Sequence, residues 1–170
     1  MNLAFNLSAA QFVMQSHVAD LLELVDGYMR TSGCLVTVEI TESLKLVEST
    51  EYLDVLNKFR HIGCRIAIDD FGTGYSSISY LKRLPIDVVK IDKSFVRDIT
   101  SNPSGAATVR AILQMAIALD LKVVAEGVET KEQLDFLRQH GCHFAQGFLF
   151  SKPAPLADLK PLLNNWTGAF

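Results

Sequence analysis

The sequence predicts an α/β fold: a parallel sheet curved into a barrel, with helices packed outside. Strand-length apolar runs alternate with helical patterns from end to end, in six successive units. Each of the six runs carries one strongly polar residue late in its length. No linker, low-complexity stretch, charge block or close internal repeat interrupts the series. Polar groups drawn from every strand end suit a barrel, whereas an open sheet concentrates its site near one switch point.

The first run, "LAFNLS", leads into a helical stretch over 9–32, where Phe12, Val13, Leu21, Leu22, Leu24 and Val25 recur and Gly33 ends it. "LVTVEITE" follows, then a helix over 50–62 with Leu53, Leu56 and Phe59 at three-residue spacing and Gly63 as its stop. "RIAIDDF" is followed by residues 77–84, where Ile78, Leu81 and Leu84 form a helical stripe that Pro85 closes. "DVVKIDKSF" precedes an alanine-rich helix over 105–120 with Val109, Ile112 and Ile117. "KVVAEGVE" precedes a helix opened by a capping box of Thr130 and Gln133 and closed by Gly141. "HFAQGFLF" is the last run, and a final helix is expected over 156–164.

A chain of 170 residues can bury a sizeable core as one domain. Net charge is -3 and pI about 5.8, so no long-range field draws the chain to nucleic acid or an anionic membrane. No apolar stretch approaches a membrane span, and no charged-then-apolar leader marks a signal peptide. Cys34, Cys64 and Cys142 are far apart and form no Cys-x-x-Cys pair, which reads as reduced core thiols in a cytoplasmic protein.

Side chains alternate across a strand. On that rule Asn6, Glu39, Asp69, Lys90, Glu126 and Gln146 are the polar residues late in the six runs. All but Lys90 offer oxygen, as does Asp70, and neither cysteine nor histidine joins them. Such a set suits Mg²⁺, Mn²⁺ or Ca²⁺. Carboxylates brought together repel one another unless a cation sits among them. Adjacent Asp69 and Asp70 can each reach one ion or bridge a pair, and two ions about 3.5–4 Å apart serve in-line attack on a phosphate ester. Lys90 adds a positive charge for a non-bridging oxygen, or helps hold the attacking water. Asp92 shares its face and can orient it.

"FGTGYSS" follows the two acids. It reads either as a mobile loop gating the site or as a strand-to-helix turn capped by Ser76 or Ser77. It is no dinucleotide fingerprint, since Ser77 stands at the third glycine position. His17, His61, His140 and His143 do not cluster, and His61 and His140 lie in the last turns of their helices, where a cation favours the dipole. Glu42, three residues after Glu39, can anchor a neighbouring loop through backbone amides.

"NLSAAQF", "VEITES", "AIDDFGTGYSSISYLKRLPID", "VKIDKSFV", "VVAEGVET" and "GCHFAQGFLFSKP" together resemble the EAL domain family, bacterial cyclic di-GMP phosphodiesterases and their degenerate receptor relatives. The resemblance covers nearly the whole chain, in order. It implies a modified (β/α)8 TIM-like barrel that hydrolyses cyclic di-GMP to linear pGpG with Mg²⁺ or Mn²⁺, inhibited by Ca²⁺. Matched motif by motif, Asn6, Glu39 and Asp69 look like ligands of a first metal and Asp70 like a ligand of a second. Lys90 is similar to the lysine that positions the nucleophilic water. Glu126 is similar to the family's late essential glutamate, a base or metal-site residue, and Gln146 to the glutamine lining the metal-water site. Glu42 resembles the glutamate that holds the "DFGTGYSS" loop, used in dimerisation and activation.

The Glu-Ala-Leu motif that names the family is absent from residues 1–170. On the resemblance it lies upstream of Asn6 and supplies a first-metal glutamate. The expectation is therefore a single EAL-type domain over 1–170 lacking its N-terminal portion: about six βα units of an incomplete barrel, its first two strands missing. The fragment is expected to self-associate through open sheet edges as a homo-oligomer. Its own activity is left open by the incomplete first metal site. The parent protein is expected to be cytoplasmic or anchored through other domains, among them a GGDEF or sensory domain. The competing reading is a non-catalytic module that binds cyclic di-GMP or a partner protein. A doubly wound nucleotide-binding domain fits less well, because polar residues end every strand.

Overall fold

The computed structural model describes residues 2–42, 50–74, 81–155 and 158–159. Strands β1 (Asn2–Asn6), β2 (Leu35–Thr41), β3 (Arg65–Phe71), β4 (Val88–Ile91), β5 (Lys122–Ala125) and β6 (Phe144–Ala145) form one sheet. Their order in the sheet is their order in the chain, and all five neighbouring pairs are parallel. Each crossover steps to the next strand without reversing, as in a barrel and unlike a doubly wound sheet. The molecule is thus an incomplete (β/α)8 barrel of six strands.

Helices α1 (Ala9–Val13), α2 (Gln15–Ser32), α3 (Thr50–His61), α4 (Lys93–Arg97), α5 (Pro103–Ala118) and α6 (Lys131–Gln139) join the strands. The rows that face them are apolar. Phe5 aligns with Val38 and Val38 with Ile66, while Ile68 aligns with Val89 and Val89 with Val123. Phe5 meets Phe59 of α3 edge to face, with ring centroids 6.4 Å apart. Leu56, Phe59, Leu113 and Leu137 close the core on that side and are fully buried. The opposite rows carry Asn6, Glu39, Asp69 and Lys90, so the polar residues line the barrel interior.

Several boundaries differ from the sequence reading. The stretch over 9–32 is two helices, because the chain turns out of helical geometry at Met14. The run "DVVKIDKSF" is a strand only to Ile91. Asp92 then accepts a hydrogen bond from the Ser94 amide at 2.9 Å and starts α4, where a continued strand was expected. Asp92 therefore caps a helix and does not orient Lys90. The alanine-rich helix begins at Pro103, capped by Asn102. "HFAQGFLF" yields a strand of two residues, and Glu126 and Gln146 stand just past their strands. Half of the helix expected over 77–84 and most of that expected over 156–164 lie outside the described residues, as do Ser76 and Ser77.

Cys64 and Cys142 are buried thiols, pushed up to about 11 by burial, whereas Cys34 is half-buried at a helix end. His140 ends α6, its Nδ1 2.7 Å from the Phe136 carbonyl, in keeping with a structural role.

Leu113 packs on the helix-facing side with no exposed surface. Leu113→Ala should cost about 2–5 kcal/mol in urea denaturation.

Candidate functional site

Lys90 stands at the centre of the inner face. Its side chain is 6% exposed, and its Nζ lies 2.7 Å from Glu39 Oε2, 2.9 Å from Asp69 Oδ1 and 2.8 Å from Glu126 Oε1. Each carboxylate follows from a different segment: β2, β3 and the residue after β5. An ammonium has three protons, and three carboxylates take them. Burial alone would push Lys90 down. Its bonds to Glu126, Glu39 and Asp69 outweigh that and hold it protonated well above its ordinary value.

Asp70 enters this cluster through a β-bulge. Ile68 pairs with Val89 and Phe71 with Ile91, so Asp69 and Asp70 together oppose Lys90 alone. A bulge of this kind re-aims a side chain, and strict alternation would have sent Asp70 to the other face. Asp70 has φ 54°, a left-handed backbone that aspartate tolerates better than most residues. Carboxylate oxygens of Asp69, Asp70 and Glu126 lie within 4.8 Å of one another.

These acids repel. Burial raises the Asp70 carboxyl above its ordinary value, and the charges of Asp69 and Asp92 raise it further. Burial likewise raises Glu126, with Asp69 and Glu39 adding to the shift against the opposing pull of Lys90. Three carboxylates thus bond one ammonium, and the Asp70 carboxylate stands beside them without a bond to it. The surplus negative charge and all-oxygen donor set fit a hard divalent cation, with Asp69, Asp70 and Glu126 as the residues able to hold it.

The loop after β3 is tied down from β2. Glu42 Oε2 accepts hydrogen bonds from the amides of Gly72 at 2.8 Å and Gly74 at 3.1 Å, and the Glu42 amide donates to the Asp69 carbonyl at 3.1 Å. Asn6 stands at the same rim, in register with Glu39, but exposed and outside the ion-pair cluster. Gln146 is also exposed. Its backbone bridges the Ala125 carbonyl, at 2.8 Å, and the Val128 amide, at 3.0 Å, which places it beside Glu126. Sequence reasoning thus selected the residues that meet here but not the register shift that brings Asp70 among them. The only trace of that shift in the sequence is the second acid before Phe71-Gly72.

The EAL domain family profile matches residues 1–153. The chain is 46% identical over 149 residues to the cyclic di-GMP phosphodiesterase NbdA of Pseudomonas aeruginosa, covering 86% of this chain and 19% of that protein. It is 41% identical over 158 residues to the bifunctional diguanylate cyclase/cyclic di-GMP phosphodiesterase MucR of the same organism, covering 93% and 23%. The chain spans about a fifth of the length of these relatives. The EAL domain of Mycobacterium smegmatis DcpA superposes with a TM-score of 0.85 at 42% identity, over 96% of this chain and 73% of that one. The MucR phosphodiesterase in complex with cyclic di-GMP gives 0.79 at 41% identity, over 93% and 64%. Klebsiella pneumoniae BlrP1 has been solved with cyclic di-GMP and either calcium or manganese. Its TM-scores are 0.77 and 0.74 at 35% and 34% identity, each over 90% of this chain and 39% of that one.

The raised carboxyls set a pH dependence. Asp70 and Glu126 hold protons more tightly folded than unfolded. Their stabilisation is therefore complete below the ordinary values of 3.8 and 4.5 and is lost as pH rises through the raised values. A bound divalent cation needs the same groups deprotonated. The rise in Tm on adding Mn²⁺ to chelator-treated protein should accordingly grow as pH is raised from about 4 to 7.

Proposed function

The chain belongs to the EAL domain family, and from that premise we propose that it is a cyclic di-GMP phosphodiesterase domain, hydrolysing one phosphodiester bond to give linear pGpG. The observation that carries this reading is the convergence of Glu39, Asp69, Asp70 and Glu126 around Lys90 at one rim of the barrel. Two structural neighbours support it: MucR and BlrP1 were solved with cyclic di-GMP, and BlrP1 with manganese or calcium.

In this reading Asn6, Glu39 and Asp69 would hold a first divalent cation and Asp70 a second, with the Glu126 carboxylate beside Asp69 and Asp70, and Mg²⁺ or Mn²⁺ would support turnover while Ca²⁺ inhibits it. When bound, two such ions would supply a more acidic water and positive charge against the phosphate. Lys90 would turn a proton to the attacking water once a cation engages its carboxylate partners, and its charge faces the negative charge that grows on the phosphate oxygens. Glu126, 2.8 Å from Lys90 and raised above an ordinary carboxyl, takes the proton of that water. Gln146 lines the same opening, and Glu42 holds the 72–74 loop against it.

Residues 1–170 act as one domain in a cytoplasmic setting, within a longer protein that carries a diguanylate cyclase-type GGDEF or sensory domain. No helix among the described residues is long and apolar enough to cross a membrane. The exposed apolar residues Leu3 and Leu35 near one sheet edge, and Phe144 and Phe148 near the other, favour pairing between copies. Light scattering at micromolar concentration should therefore show a dimer or larger species, and a monodisperse monomer would contradict the pairing.

The direct test is pGpG formation from cyclic di-GMP with Mg²⁺ or Mn²⁺, by this chain and by a form extended upstream through a Glu-Ala-Leu strand. The extended form should turn over, lose activity with Ca²⁺, and fall about 10²–10⁴-fold on Lys90→Met. Tight binding of cyclic di-GMP without hydrolysis by either form would instead establish a receptor module.

A further inference from the structure

The carboxylates of the site are carried by two turns that glycines press against one short helix. Gly72 lies two residues beyond Asp70 with φ 100°, and a Cβ there would stand 2.8 Å from Cε2 of Phe95. Gly127 follows Glu126 with φ 66°, and a Cβ there would stand 2.5 Å from the Cβ of Lys93. L side chains rarely adopt either backbone conformation, so glycine is required twice over, by conformation and by space. Lys93 and Phe95 both belong to the first turn of α4, whose capping residue Asp92 comes two residues after Lys90.

The far end of α4 is tied as well. Gln133 is 5% exposed. Its Nε2 donates to the carbonyls of Val96 at 3.3 Å and Arg97 at 3.1 Å, and its Oε1 accepts from the amides of Glu129 at 2.8 Å and Thr130 at 3.0 Å. One buried side chain therefore joins the last turn of α4 to the segment that follows Glu126. The first turn of the helix therefore meets the turns after both Asp70 and Glu126, and its last turn is tied through Gln133 to the amides of Glu129 and Thr130, so it is fixed at both ends.

We propose that Phe95 is a positioning residue for the divalent-cation site: its ring, seated where Gly72 has no side chain, sets how far the Asp70 carboxylate stands from that of Glu126. This rests on the reading of the cluster as a cation site. Glu42 pulls on the Gly72 and Gly74 amides from the β2 side, and the ring resists from the α4 side. The loop is thus held between a polar tie and an apolar stop. The ring itself packs against the core, which fixes it. Without it the backbone at Gly72 gains room to relax inward, and Asp70, held on the bulge at φ 54°, moves with it. Ligands must be kept within a fraction of an ångström of binding geometry for a metal to stay tightly held.

The test is calorimetric titration of the chain with Mn²⁺, alongside its thermal melt. Phe95→Ala should weaken Mn²⁺ binding about 10–100-fold, as loss of a supporting group does. Leu113→Ala, a core deletion on the helix-facing side, should lower Tm while leaving Mn²⁺ affinity unchanged. Phe95→Leu keeps part of the bulk and should fall between the unaltered chain and Phe95→Ala, and it carries the test if Phe95→Ala does not fold. If affinity falls equally in Leu113→Ala, or stays unchanged in the Phe95 variants while the unaltered chain binds, the inference is overturned alone. If the unaltered chain takes up no Mn²⁺, the cation-site reading falls and the inference with it.

Discussion

One ammonium group organises the interior of this barrel. Lys90 receives carboxylates from β2, β3 and the end of β5, so three separate crossovers must deliver their strand ends to within 3 Å of one nitrogen. Breaking a buried ion cluster by removing one member typically costs about 3–5 kcal/mol, because the remaining charges stay buried without a partner. That penalty falls on any register in which a strand slips by one residue, which would also turn Glu39 or Asp69 into the apolar layer under the helices. The apolar rows and the ionic hub therefore specify the same register from opposite faces of the sheet.

The hub is nevertheless short of positive charge. Burial and mutual repulsion raise Asp70 and Glu126, which marks a place where anionic oxygens are gathered at an energetic cost. The bulge at Asp69-Asp70 adds to that cost, since it gives up regular pairing and places Asp70 in a left-handed conformation. Strain concentrated at a cluster of like charges is hard to explain as packing. It is accounted for when a divalent cation completes the site and offsets both terms. Glu42, α4 and Gln133 then form the frame that keeps the bulge and its loop in place.

Much of this was legible in the sequence because two periodicities reinforce each other. Alternation along "VTVEITE" and "IAIDD" placed Glu39 and Asp69 on one face, and the succession of strand and helix patterns predicted a parallel sheet with strand ends at one rim. The role of Glu42 as a loop anchor was also readable, from its place at the end of β2. What escaped were features that depend on two segments at once. The bulge is a property of the β3 and β4 register, and a second acid before Phe71-Gly72 is too slight a local sign to reveal it. The short α4 was hidden because "DVVKIDKSF" reads as one apolar run, although Asp92 and Ser94 form a cap inside it. Gln133 was recognised as half of a capping box, but its second bond set, to the end of α4, crosses 36 or 37 residues and leaves no local pattern.

The central claim is that this rim gathers its carboxylates for a divalent cation. Crystals of the chain grown with Mn²⁺ and measured at the manganese absorption edge test it most directly. The account predicts an anomalous peak in bonding distance of carboxylate oxygens from Asp69 and Asp70. A well-ordered cluster with no peak, or manganese bound only elsewhere on the surface, would contradict it.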